Sequence, residues 1–291
     1  SNKIMSEFFL ELFSEEIPSN LQRNSRTLLL ESFQKLFHEK GINFNKSETF
    51  STPNRLIILF RGLSVEITQK AEEIKGPKVN APEKAIEGFL KSNQISEKDL
   101  FKKNLEKGEF YFYKKPSNKI DTASLLEGQI PVMLDKLQWK KSMRWGDYTL
   151  NWARPLKSIL AVFNNKKLNF KFHHLTSSNN SFLDKEFEEK KKKFKNFDEY
   201  KNYFRKLDII IDQSLRKEFI LKEFEKISKK KNFFIEANYK LLEEVVNIVE
   251  QPNILICKFD QKFLSIPKEI LIITMQYHQK YFPTFDKNGK I

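Results

Sequence analysis

KKSMRWGDYTLNWARPLKSILAVFNNKKLNFKF, residues 140 to 172, decides the fold class. It reads as a loop, a strand, a turn at Asn164-Asn165 and a second strand. Upstream, a helix is expected from Asp121 or Thr122 through Leu125, Leu126 and Ile130, with Pro131 bending it before Met133, Leu134 and Leu137. Before that helix, EFYFYKK after Lys107-Gly108 reads as a strand. Pro82 opens a helix through Ala85, Ile86, Phe89 and Leu90, after a turn near Gly76-Pro77. Farther upstream, STPNRLIILFRGLSVEI from Ser51 gives a turn at Thr52-Pro53-Asn54 and a strand centred on Leu56 to Phe60. EFFLELF, residues 7 to 13, suits a buried strand. Pro18-Ser19 then open an amphipathic helix carrying Leu29, Leu30, Phe33, Leu36 and Phe37, which ends at Gly41. Strands and helices thus alternate irregularly, without the even rhythm of a doubly wound sheet. The expected class is α+β: a mixed sheet with packed helices, followed by a second, smaller mixed domain.

Residues 176 to 200 change character, from the polar TSSNNSF to the charged, aromatic-dotted DKEFEEKKKKFKNFDEYKNYF. The division expected is a first domain over 1–175 and a smaller one over 176–291. In the latter, 214–231 form a helix with Ile220, Leu221, Phe224 and Ile227 on one face. Leu241 to Val249 form another, stopped by Pro252. NILICKF, KFLSIPKEILIITM and KYFPTF close the chain as strand, helix or strand, and strand. After Thr284-Phe285 a hairpin turn at Asp286-Lys287-Asn288-Gly289 leaves a return strand of two residues, too short against the usual ~5. Either another chain completes that edge or this is the front part of a longer protein.

A chain of 291 residues favours about two domains. The single cysteine, Cys257, excludes an internal disulfide and fits a reducing compartment. No apolar stretch approaches the ~18 residues of a membrane span. The start is unlike a signal peptide, and Ser1-Asn2 read as an expression remnant ahead of a native Met5. A soluble, cytoplasmic protein without membrane partners is expected. The formal charge of +14, from 52 basic and 38 acidic residues, attracts polyanions, of which nucleic acid is the commonest. Abundant Lys, Asn, Ile and Phe are also what AT-rich codons produce, so a solvated lysine surface stays open as the alternative.

Nothing local specifies a reaction. Cys257 lies in ILICKF, where a buried thiol is the default. His38, His173, His174 and His278 are scattered; His173 and His174, adjacent on a strand, would face opposite ways. No metal is expected. Neither GxGxxG nor GxxxxGK[ST] occurs among the eight glycines. Glu15-Glu16 and Glu243-Glu244 read as helix-start charge and a solvated helix edge. Binding features are richer. Lys140, Lys141, Arg144, Trp145, Trp152 and Arg154 join cations to aromatics on which bases stack, unless the tryptophans are core. Lys190, Lys191, Lys192 and Lys193 begin KKKKFK, which tracks a phosphate backbone or forms a solvated helix face. His278 with Lys280 reads as a surface patch, with Tyr281 and Phe282 as core.

Five collinear stretches resemble one family, the bacterial glycyl-tRNA synthetase beta subunit. FLELFSEEIP resembles its FLVEIGTEELP opening and STPNRLIILFRGL its TPRRL-type strand. KGPKVNAPEKAIEGFLKSNQI resembles a GP segment followed by a small-residue helix, and KSMRWGDYTLNWARPLKSILAVF a KxMRWG segment with its RPL or RPV strand. LLEEVVNIVEQPNILICKFDQKFLSIPKEILIITMQYHQKYFP resembles the block that ends in QKYFP. Motif residues carried over are Glu15, Glu16 and Pro18; Pro53, Arg55 and Leu56; Met143, Arg144, Trp145 and Gly146; Arg154 and Pro155; and Gln279, Lys280, Tyr281, Phe282 and Pro283. Arg55 joins the nucleic-acid-binding candidates on this basis.

The family's subunit is more than twice this length, so the resemblance implies an amino-terminal fragment lacking the HD-like and anticodon-binding regions. It implies an α2β2 ligase that joins glycine to its tRNA at the expense of ATP. The class II site, with ATP and Mg, belongs to the alpha subunit. Beta mainly recognises tRNA, binds no cofactor itself and contributes no catalytic residue. The first domain is expected to share the editing-type module of phenylalanyl-tRNA synthetase, by fold-level analogy. Asn54 departs from the family's common first Arg, so no paired-Arg phosphate clamp is expected. The segment after Gly76-Pro77 lacks an AFD-containing stretch, and Asn179-Asn180-Ser181-Phe182 replaces a GHRF-like sequence. Two rivals stand beside this reading: a trans-editing hydrolase using Glu15, Glu16 or His278 around a water, and a scaffold that docks the alpha subunit.

Overall fold

A computed structural model describes residues 5–139, 144–145, 148–149, 156–182, 191–231, 234–235, 239–250, 252–258, 269–274 and 279–285. Contacts divide the chain into a larger unit, residues 1–65 with 126–291, and a smaller one, residues 66–125. The boundary expected at 175/176 falls inside the larger unit.

EFFLELF lies in β1 (Met5–Ser14), and α1 (Ser19–Lys40) follows Pro18 and closes at Gly41. β2 (Lys46–Thr52) and β3 (Arg55–Ser64) form a hairpin across the Pro53-Asn54 turn, with Thr52 opposite Arg55. β2 gave no apolar signal because KSETFST is a polar sheet edge. The β1–β3 register shifts between Ser6 and Phe8, where Gly62 on β3 has φ +67°. A side chain at Gly62 would collide with Asn45. The glycine therefore permits both the left-handed backbone of the bulge and the close approach of Asn45.

The smaller unit contains β4 (Glu66–Gln69), β5 (Glu72–Lys78), α2 (Glu83–Asn93), β6 (Leu100–Leu105), β7 (Gly108–Lys115) and β8 (Asn118–Asp121). β7, the EFYFYKK strand, is central in the order β5-β7-β6, while β4 pairs with β8. Gly76-Pro77 lie within β5, and the turn expected near them comes at Val79-Asn80, closed by the Ala81 N–H donating to the Lys78 carbonyl at 2.9 Å. β5 runs through Gly76-Pro77 with a register shift between Lys75 and Lys78, and an edge position tolerates proline's missing N–H donor. A Cβ on Gly76 would lie 2.9 Å from the Phe89 ring, so the glycine lets α2 approach the strand closely.

α3 (Thr122–Trp139), which spans the boundary at 125/126, contains Pro131, and in the larger unit β9 (Arg144–Trp145) pairs with β10 (Tyr148–Thr149). β11 (Leu156–Phe163) and β12 (Lys166–Lys167) form the expected hairpin, with Asn164 and Asn165 at φ 53° and 58°. Two successive positive-φ residues match the twist of a two-residue hairpin. β13 (Lys171–Phe172) and β14 (Leu175–Thr176) form another, and His173-His174 are its turn rather than strand residues. β15 (Asn180–Phe182) pairs with β16 (Lys191–Lys193). Then come α4 (Phe197–Lys206), α5 (Gln213–Lys231), β17 (Phe234–Ile235), α6 (Tyr239–Ile248), β18 (Asn253–Lys258), β19 (Glu269–Thr274) and β20 (Gln279–Phe285). The segment left open as helix or strand is β19, inside the order β17-β20-β19-β18.

The main sheet runs β12-β11-β1-β3-β2, antiparallel throughout, with β1 at its centre. α1 covers one face: Phe8 lies 5.5 Å from Phe33 and 6.4 Å from Phe37. α4 covers the other, with Phe9 5.4 Å from Phe197 and 4.8 Å from Tyr200. A strand covered on both faces carries a continuous apolar run instead of alternation, which is why β1 reads FFLELF. Among the described residues no helix is long and apolar enough to cross a membrane.

Candidate nucleic-acid interface

The one charge inside the apolar run of β1, Glu11, is fully buried. Buried carboxylates require partners, and Glu11 has several. Ser181 Oγ donates to its two oxygens at 2.7 and 2.9 Å, the Tyr200 hydroxyl donates to Oε2, and Arg55 Nε lies 3.6 Å away. Arg55 also bonds Glu250 Oε1 at 2.5 Å and the Phe182 carbonyl at 2.8 Å. Its guanidinium sits 5.1 Å from the Phe13 ring centroid and 4.8 Å from that of Phe204. Burial pushes the Glu11 carboxyl above the usual range while Arg55, Tyr200 and Ser181 draw it back. Burial, reinforced by Glu11, drives the Tyr200 phenol far above its ordinary value.

Arg55 is therefore not the surface cation expected from its motif: with 1 % exposure and an ion pair to either side, it offers no donor to a phosphate. It ties β3 to β1, β15 and residue 250. Asn54, its neighbour in the turn, donates from Nδ2 to the Ser14 carbonyl at 3.0 Å, so this corner holds strand ends together. A second buried arginine, Arg216 on α5, donates to the carbonyls of Ile210, Ile211, Val246 and Ser51. Burial lowers its pKa to about 10, leaving it charged at neutral pH. Together these arginines fix α4, α5 and the extended segment between them against the sheet.

Lys140, Lys141, Arg154, Lys190 and His278, with Trp152, lie outside the described residues. Arg144 and Trp145 form β9, and Lys280 lies on β20 opposite Ile273. Lys191, Lys192 and Lys193 form β16 and not a helix face, paired with Phe182, Ser181 and Asn180. Lys191 Nζ lies 4.7 Å from the Phe182 centroid and Lys192 Nζ 4.3 Å from that of Tyr203 on α4.

α4 presents cations on its opposite flank. Asn196 caps the helix, accepting from the Glu199 N–H at 2.8 Å, and Tyr200 and Phe204 face the core. One turn apart, Lys201 and Arg205 then share a flank. With Asn202 they line a groove of about 280 Å³, whose other lining residues are Ile209, Ile210, Ile211, Leu215, Glu218, Phe219 and Lys222. Arg205 lies 5.6 Å from the Phe219 centroid, and Leu215 is 39 % exposed. Among the described residues Lys201, Arg205 and Lys222 have no carboxylate partner, whereas Lys217, Lys226 and Lys229 on α5 pair with Glu243, Glu223 and Glu225. None of these groove residues was singled out in the sequence. The i,i+4 pair Lys201/Arg205 is visible there, but its meeting with α5 is not.

The sequence profile described as Glycyl-tRNA synthetase beta subunit matches residues 8–291. The chain is 38% identical over 285 residues to the glycine–tRNA ligase beta subunit of Rickettsia peacockii (strain Rustic). It is 38% identical over 287 residues to that of Rickettsia felis. Each alignment covers 98% of the chain and 43% of the relative, so the chain spans less than half the length of these relatives.

Proposed function

The chain belongs to the glycyl-tRNA synthetase beta subunit family, and from that premise we propose that it is the RNA-engaging, noncatalytic part of a glycine–tRNA ligase. In this reading an alpha subunit, in an α2β2 cytoplasmic enzyme, holds ATP and Mg and makes the bonds, while this chain contributes to holding tRNA. The sheet flanked by α1 and α4 is taken as the counterpart of the editing-type module of phenylalanyl-tRNA synthetase. The observation that carries the reading is the cationic surface on both flanks of α4. Lys192, over Tyr203, lies on one side, and Lys201, Arg205 and Lys222 line the groove with Phe219 on the other. Cations of this kind meet phosphates, and the aromatics offer stacking surfaces to unpaired bases.

The test is fluorescence anisotropy of a labelled glycine tRNA transcript with the 291-residue chain across a salt series. Each phosphate contact should contribute about −0.9 to the slope of log affinity against log salt, so four or five contacts give roughly −4. Glycine-dependent exchange of pyrophosphate into ATP by the chain alone would overturn the noncatalytic assignment. Affinity indifferent to salt would overturn the electrostatic one. Hydrolysis of mischarged tRNA by the chain alone would point to trans-editing.

A further inference from the structure

We infer that the groove between α4 and α5 holds one nucleotide of a single-stranded RNA segment, with the base on the apolar floor and the phosphates on the surrounding cations. The inference rests on the RNA-engaging reading above and locates it at particular residues.

The groove has the composition such a ligand requires. Its volume of about 280 Å³ lies just below the ~300–1,000 Å³ of ligand pockets, a size suited to a single base. Ile209, Ile210, Ile211, Leu215 and Phe219 supply an apolar floor. Three cations stand against one carboxylate, Glu218, so the lining has net positive charge complementary to a phosphodiester.

The floor is also preformed. Ile209 and Ile211 belong to the core cluster. The Ile210 N–H donates to the Glu250 carbonyl at 3.1 Å, and Arg216 Nη1 donates to the carbonyls of Ile210 and Ile211 at 2.6 and 3.0 Å. A platform anchored in this way loses little conformational freedom when a ligand lands on it. The Arg205 guanidinium over Phe219 pairs a charge with a ring, the combination that binds successive phosphates and bases of an unpaired strand.

The experiment uses the whole chain and a fluorescein-labelled RNA hexamer containing one 4-thiouridine, read by anisotropy and by crosslinking under near-ultraviolet light. Crosslinks are expected within residues 201–222. Phe219→Leu should weaken hexamer binding about tenfold, as loss of one base–aromatic stack does, and leave heparin binding unchanged because heparin has no bases. Lys222→Glu, at an exposed position, and Lys201→Glu, at a half-buried one, should each flatten the salt slope by about one. A melting curve for each variant separates lost binding from lost folding. Crosslinks mapping elsewhere, a Phe219→Leu affinity equal to the parent's, or no hexamer binding at all would overturn the groove. If tRNA still binds with a steep salt dependence, only the groove is rejected; if neither RNA binds, both readings fail together.

Discussion

Replacing Arg55 with Met tests the central polar network. The substitution keeps an apolar stem between Phe13 and Phe204 but removes the Arg55 cation beside Glu11 and its hydrogen bond to the Phe182 carbonyl. Glu250 is 14% exposed and can recover hydration, while Glu11 at 0% cannot, so the penalty falls mainly on Glu11. Removing one partner of a buried pair costs about 3–5 kcal/mol. For a unit of this size that is a melting temperature lower by on the order of 10 °C.

The penalty should depend on pH. Glu11 already titrates above its ordinary value of 4.5, and loss of the Arg55 cation raises it further. Between the unfolded and folded values the folded variant then holds a proton that the unfolded chain has released. Its stability therefore falls as pH rises through the folded-state value and returns as pH falls toward the unfolded value. Urea denaturation followed by circular dichroism at pH 5 and pH 8 should show the gap to the parent narrowing at pH 5. Adding Glu11→Gln and Glu250→Gln to Arg55→Met should recover much of the loss, because no carboxylate is then stranded. A cost below about 1 kcal/mol, or an equal gap at both pH values, would refute the argument. If Arg55→Lys kept full stability but lost tRNA affinity, Arg55 would be a phosphate contact after all.

Three further substitutions probe local geometry through the same denaturation assay. Gly62→Ala should cost at least the ~1–2 kcal/mol of left-handed backbone, and Asn45→Gly in the same chain should return only the collision with Asn45. Asn165→Val places a β-branched residue at φ 58° and should cost a similar ~1–2 kcal/mol, whereas Asn165→Gly should be neutral or stabilising. Asn196→Ala removes the cap of α4 and should cost about 1 kcal/mol, with Asn196→Asp retaining most of it.

Much of the fold was legible because it is local. The run in β1, the cap at Gly41, the Pro53-Asn54 turn and the Asn164-Asn165 hairpin each carry their cause within a few residues. What escaped depends on distant partners. Glu11 was visible as a lone charge in an apolar strand, yet Ser181, Tyr200 and Arg55 could not be assigned to it without the tertiary arrangement. The same ignorance placed Arg55 at the surface. β2 was missed because an edge strand needs no apolar face, and the part Gly76 plays in admitting the Phe89 ring is invisible in one dimension. The lysine run became a strand through pairing with β15. Of the candidate site, charge and aromatics were readable but their convergence on the groove was not.

β1 leaves the ribosome well before one of its two neighbours, β11, which is synthesised about 150 residues later. During that interval FFLELF has β3 on one side and an open hydrogen-bonding edge on the other. At ~5–20 residues per second the delay lasts roughly eight to thirty seconds, long enough for nascent chains to associate through that edge. The central position of the strand therefore leaves one of its edges open to other chains until Leu156–Phe163 has emerged and paired.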